Sequence, residues 1–356
     1  MTTDTITLTS PDDILAAVPF VLGFHPTDSA VVLCLHDNRL VLTQRIDLPA
    51  PAHAHGAAGA LLPTIRSSDA HKVILLGYES TPDSSRPVLE ALAALLDQDT
   101  DITVLDRIVV RDGRWWSVDC PDPGCCPPEG TPLPAPVDAS HITAEFVGAG
   151  MTPLRDRDVL ARSVEPGPRA DAVADLVDVL LAVDPDSDSG DVDSQDELLA
   201  AWARILTPDR VPAPVSPIDA TLAAVSLKDV TVRDGLVAWL TPGLLPADLV
   251  SDTVRDITAH LDRVWASTCE ATAATDPREP EGVVHRRRQA RLVELCSCLP
   301  DPMATPSLTV LASLAWWRGD GATARVALDR ALRADPDYRL AQLLVRVVEL
   351  GIHPHP

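Results

Sequence analysis

Residues 120–130 read CPDPGCCPPEG, which gathers three of the chain's seven cysteines into seven positions. Thiols at this density could bind zinc or exchange disulfides. Zinc takes four ligands, usually as two spaced pairs. Cys120 and Cys125, with four residues between them, are within reach of one ion. Cys126 adjoins Cys125, and neighbouring side chains rarely point at one metal together. The loop therefore offers two ligands from Cys120, Cys125 and Cys126, and His141 is the nearest further donor, with His25 and His71 more distant. Zinc is the one cofactor the residues suggest, and they do not require it. A redox role needs an accessible thiolate with a lowered pKa and a resolving partner. The partner is present, but Asp119, Asp122 and Glu129 should raise the thiol pKa values. The plainest expectation is a stiff structural loop, with five prolines between 121 and 132.

A second candidate is GFHPTDS at 23–29, a ligand loop formed by Gly23, His25, Asp28 and Ser29. Loops at strand ends are where α/β proteins hold ligands. Three nearly contiguous residues do not make a Ser-His-Asp relay, and no G-x-S-x-G is present. No G-x-G-x-x-G follows a strand, and neither a Walker A sequence nor HExxH occurs. The balance leans against an enzyme. An enzyme or sensor would need the 23–29 and 120–130 loops to form one pocket.

These loops must be positioned by the elements around them. SPDDILAAVPFVLGF opens a helix, with Ser10 as N-cap and Pro11 at the first position. SAVVLCL (29–35) and LVLTQRIDL (40–48) pair as a hairpin across HDNR. A helix over 52–68, a central strand over 71–78 and an amphipathic helix over 84–98 follow. DITVLDRIVVRDGRWWSV (101–118) reads as strand, RDGR turn and strand. This order predicts a three-layer α/β domain over 1–150, with a mixed sheet and two hairpins. Connecting helices over 151–183, an acidic linker at 184–197 and a helical domain over 198–356 complete the chain. The acidic segment fails as a calcium loop because Asp191, not Gly, occupies its sixth position.

The helical part contains one more specific pattern. Ala324, Leu328, Ala331 and Pro336 fall at tetratricopeptide-like spacing, with LASLAWWRG as the preceding helix. One such hairpin is expected. Trp316 and Trp317 cannot both face one core. With Arg325 and Tyr338 they are the candidate residues for docking a partner protein.

Composition limits the remaining classes. A 46% apolar share supports a sizeable core, and 356 residues suit two domains. The formal charge of −23 repels phosphate backbones and anionic membranes. HRRRQAR (285–291) is the one basic run against that field, and it reads as a solvated helix face. No run approaches the length of a membrane span, and the first residues lack a secretory pattern. A reducing cytoplasm, no nucleic acid and no membrane are expected.

LTSPDDILAAVPFVLGFHPTDSAVVLCL, RIDLP and RWWSVDCPDPGCCPPEGTPL together resemble the actinobacterial domain-of-unknown-function family 4192. The resemblance covers most of the chain, including the hairpin near its end. It implies a cytoplasmic actinobacterial protein and no particular reaction, so it assigns no catalytic residue. The reading reached from sequence is a non-enzymatic protein-binding or regulatory module. A small-molecule enzyme or sensor and a structural zinc protein are its alternatives.

Overall fold

The structure, a computed structural model, describes residues 7–98, 101–134, 141–148, 151–182, 191–206, 213–244, 250–272 and 281–352. It divides into two compact units, Met1–Arg157 with Glu349–Ile352 and Asp158–Val348 with His353–Pro356.

The first unit is built on a six-stranded mixed sheet. Helix α1 (Pro11–Leu22) begins where Ser10 accepts a hydrogen bond from the Asp13 amide at 3.2 Å and ends at Gly23, whose φ is 78°. Strands β1 (Ser29–His36) and β2 (Arg39–Asp47) join through Asp37 and Asn38, both at positive φ, as a tight hairpin turn requires. Next come α2 (Ala54–Ser67), β3 (Lys72–Tyr78), α3 (Arg86–Asp97), β4 (Thr103–Arg111), β5 (Arg114–Ser117) and the two-residue β6 (Thr131–Pro132). The strand order is β2-β1-β3-β4-β5-β6. Only β3–β4 is parallel, with α3 as its crossover; β1 runs antiparallel to both neighbours.

The central strands are buried on both faces, which accounts for their continuous apolar runs. Val32, Cys34, Val73 and Leu75 pack with Ala58, Ile65, Leu89 and Leu92 of α2 and α3. Val31, Leu76 and Ile108 are buried on the opposite face. On that side Asp12 of α1 accepts a hydrogen bond from Trp115 Nε1 at 2.8 Å. The expected three layers are thus α2 and α3, the sheet, and α1. Helix α4 (His141–Gly148), which the sequence did not announce, stacks Phe146 on Phe20 of α1 at 4.8 Å.

The second unit is helical: α5 (Arg157–Ser163), α6 (Ala170–Ala182), α7 (Asp191–Leu206), α8 (Pro217–Ser226), α9 (Val230–Leu240), α10 (Asp252–Thr272), α11 (Glu281–Cys298), α12 (Asp301–Trp317), α13 (Gly321–Ala334) and α14 (Arg339–Glu349). Of the acidic segment, residues 184–190 lie outside the described residues, and Asp191 already opens α7. Helix α8 begins inside a proline-rich stretch, VPAPVSPID at 211–219. Ser216 caps it by accepting from the Asp219 amide at 3.0 Å, and Pro217 occupies its first turn, so proline here starts a helix. Among the described residues no helix is long and apolar enough to cross a membrane.

The basic run on α11 is not a solvated face. His285, Gln289 and Arg291 are buried, and the Arg288 guanidinium lies 4.4 Å from the Trp239 ring centroid and 4.5 Å from that of Trp265. Aromatic faces and backbone carbonyls can take up arginine inside a core, which the count of charges alone does not reveal.

A candidate thiol metal site

The cysteine loop hangs from β5 and is tied at both ends. At its entry the Val118 amide donates to the Arg107 carbonyl at 2.7 Å, and Arg107 grips the Asp119 carboxylate with Nε at 3.0 Å. The bidentate pair raises the Arg107 pKa and holds the Asp119 carboxyl below its ordinary range. At its exit Trp116 Nε1 donates to the Pro128 carbonyl at 3.1 Å, and Arg114 Nη1 to the Gly130 carbonyl at 2.8 Å. Gly130 sits beneath the Trp116 indole with φ of 79°. Arg111 lies over the same indole, 5.0 Å from its centroid.

Arg111 is itself fixed by Glu79, a residue the sequence reading passed over. The Glu79 side chain at the end of β3 is 1% exposed and accepts from Arg111 Nη1 at 3.0 Å. It also accepts from the Ser85 amide at 2.8 Å and the Ser85 hydroxyl at 2.6 Å. The available signal was an acid placed just before the Ser-rich entry to α3, in GYESTPDSSRP. Glu79, Arg111 and Trp116 form a continuous support between the sheet and the loop.

Between its tied ends the loop turns back on itself. The amides of Cys125 and Cys126 both donate to the Asp122 carbonyl, at 3.1 and 2.7 Å, and the Gly124 amide donates to Asp122 Oδ1 at 2.8 Å. This turn brings the sulfurs of Cys120, Cys125 and Cys126 within 4.8 Å of one another. The expectation that adjacent cysteines diverge holds for extended chain and fails here, because the turn folds both toward Cys120. The electrostatic expectation fails for Cys120. The Cys120 thiol is held below its ordinary range, chiefly by the Asp122 backbone amide at its sulfur and then by the Cys126 and Cys125 thiols. Asp122's charge opposes this but is outweighed. The hydrogen bond to Cys120, with burial second, pushes the Cys126 thiol up to about 12.

Three sulfurs disposed in this way suit a thiophilic cation. Around zinc, with bonds of about 2.3 Å, tetrahedral sulfurs lie roughly 3.8 Å apart, so a small contraction completes the geometry. Among the described residues no histidine or carboxylate joins the cluster, His25 and His71 included. His141 opens α4, and its side chain lies outside the described residues.

The 23–29 loop does different work. Asp28, at φ 41°, accepts from the Ser80 amide and hydroxyl at 2.8 and 2.9 Å. Ser29 is buried, donates to the Thr27 carbonyl and accepts from Arg45 Nε at 3.0 Å. Gly23 caps α1, and the amide of His25, whose side chain is exposed, pairs with Leu154. Sheet register aligns Ser29 with Tyr78, Val110 and Trp115, which puts β1 and β5 roughly 14 Å apart. The cysteine loop leaves the far end of β5, after Ser117. The structure does not bring the two loops together.

Of the four docking candidates, Trp316 is buried. Trp317 donates to the Pro242 carbonyl at 3.2 Å and meets the His285 ring edge-on. The Tyr338 hydroxyl accepts from Arg233 at 2.8 Å, and Arg325 pairs with Asp329 at 3.0 Å.

The chain matches the family model described as Domain of unknown function (DUF4192) over residues 11–355, and it belongs to that family. No curated protein and no solved structure matches it.

Proposed function

We propose that this family member is a non-enzymatic metal-binding module, in which Cys120, Cys125 and Cys126 hold one zinc-like thiophilic ion. The observation that carries the reading is the clustering of three sulfurs on a loop tied at both ends. Soft thiolates select soft or borderline cations, and binding displaces thiol protons. The ion's fourth position is left for solvent or for a donor outside the described residues. The six described free cysteines suit a reducing compartment such as the cytoplasm.

The test is titration of reduced, full-length protein, purified without a histidine tag, with cadmium as the probe. One equivalent should produce a sulfur-to-metal charge-transfer band and release protons, and the Cys125→Ser, Cys126→Ser double variant should show neither. A band of equal size in that variant, or less than about half an equivalent bound by the wild type, would overturn the proposal.

A further inference from the structure

The same three sulfurs support a second chemistry, which does not depend on the metal reading. We infer that Cys120 and Cys126 are a reversible disulfide pair, formed when the metal-free protein meets a hydroperoxide. The argument is geometric. The turn at Asp122 brings Cys126 back to Cys120, and the sulfurs lie within 4.8 Å before any bond forms. Both residues are half-buried, so a small oxidant reaches them while the rest of the chain is folded.

The choice of pair follows from what each alternative would demand. Cys125 and Cys126 are adjacent, and their Cα atoms are fixed about 3.8 Å apart by the trans peptide. A relaxed disulfide needs about 4.4–6.8 Å, so a vicinal bond would distort the backbone. Cys125 is the exposed member of the three. Both Cys126 and Cys125 hydrogen-bond to Cys120, and the Cys126 contact is the larger of the two. Closing this pair leaves the Arg107–Asp119 and Trp116–Pro128 ties in place.

The chemistry balances in two steps. One thiol sulfur attacks a peroxide oxygen and the O–O bond breaks, giving a sulfenic acid and water, or an alcohol from an alkyl hydroperoxide. The second thiol then displaces the sulfenic hydroxyl, forming the S–S bond and releasing water. Two electrons pass from the sulfurs to the peroxide, and both thiol protons leave in the products. A thiol reductant reverses the change. Because the bonded sulfurs are those offered to the ion, oxidation and metal occupancy exclude each other.

The experiment treats reduced, metal-free, full-length protein with a stoichiometric amount of hydrogen peroxide and maps the products by mass spectrometry. Cleavage before Asp122 separates Cys120 from Cys126, so a bond between them keeps the two fragments linked at two mass units below the reduced sum. The expected result is that linkage, its loss on adding dithiothreitol, and its persistence in Cys125→Ser. Linkage through Cys125, a vicinal bond, sulfinic acid with no linkage, or loss of linkage in Cys125→Ser would each overturn the inference. Cadmium titration of the same reduced sample is read separately, so failure of metal binding does not decide this outcome.

Discussion

A Cβ atom added to Gly130 would lie 2.4 Å from Cε2 of Trp116. This close approach fixes the exit of the cysteine loop against β5, and Gly130 is also held at φ 79°. Two independent penalties therefore fall on any larger residue there.

Gly130→Ala should destabilise the first unit by about 2–4 kcal/mol, of which about 1 kcal/mol is the left-handed backbone and the rest the collision with the indole. In a Trp116→Leu background the same substitution should cost about 1 kcal/mol, because only the backbone penalty remains. Urea denaturation of the four proteins of this cycle measures the difference. Equal costs in the two backgrounds would mean that the indole does not determine the exit geometry.

Stability should fall in alkali because of two buried thiols outside the loop. Burial pushes Cys34 and Cys296 up to about 12 from an ordinary value of 9.0. Above pH 9 the unfolded chain releases these protons and the folded chain does not, so the folded state binds more protons. The contribution is therefore intact below pH 9 and is lost between 9 and 12. At pH 10 each thiol should cost about 1 kcal/mol. Cys34→Ala should show a shallower decline from pH 9 to 10 than the wild type, whatever its offset at neutral pH. Parallel declines in urea-denaturation series would contradict this.

Arg330 and Arg325 both lie on α13 and should respond very differently to replacement. Arg330 is 1% exposed and donates to the carbonyls of Val164, Cys296 and Leu299 and to Asp301. It closes the C-terminal end of α11 from the side. Arg330→Met should cost about 3–5 kcal/mol, since it leaves buried acceptors without donors. Arg325 and Asp329 are exposed, and Arg325→Met should cost less than about 0.5 kcal/mol. Thermal melts of the two variants compare them directly, and similar shifts would refute the distinction.

Local chemistry made much of the first unit legible. HDNR and RDGR announced their turns, and Asp37, Asn38, Asp112 and Gly113 all adopt positive φ. Ser10 and Pro11 announced α1. What escaped were features decided by distant partners. The buried side of HRRRQAR depends on Trp239 and Trp265, which lie 49 and 23 residues before Arg288. Helix α8 was hidden because Pro217 starts a helix only when Ser216 caps it, and in a proline-rich stretch the two possibilities look alike. For the cysteine loop, spacing singled out Cys120, Cys125 and Cys126 but expected only two of the sulfurs to converge, where all three do. Convergence of all three sulfurs depends on two amides sharing the Asp122 carbonyl, a backbone event with no side-chain signature. For Cys120 the acidic neighbours likewise misled, because the Asp122 backbone amide at its sulfur outweighs the charge of the same residue.

The Glu79–Arg111–Trp116 support and the Arg107–Asp119 tie hold the loop from the sheet side through protein groups alone. In a zinc finger the metal supplies the folding energy, and chelation unfolds the domain. On the reading proposed above, the loop is held by protein contacts, so the cation would be exchangeable cargo. Its occupancy would then follow the free concentration of the ion outside, and a chelator would empty the loop without melting the sheet beneath it.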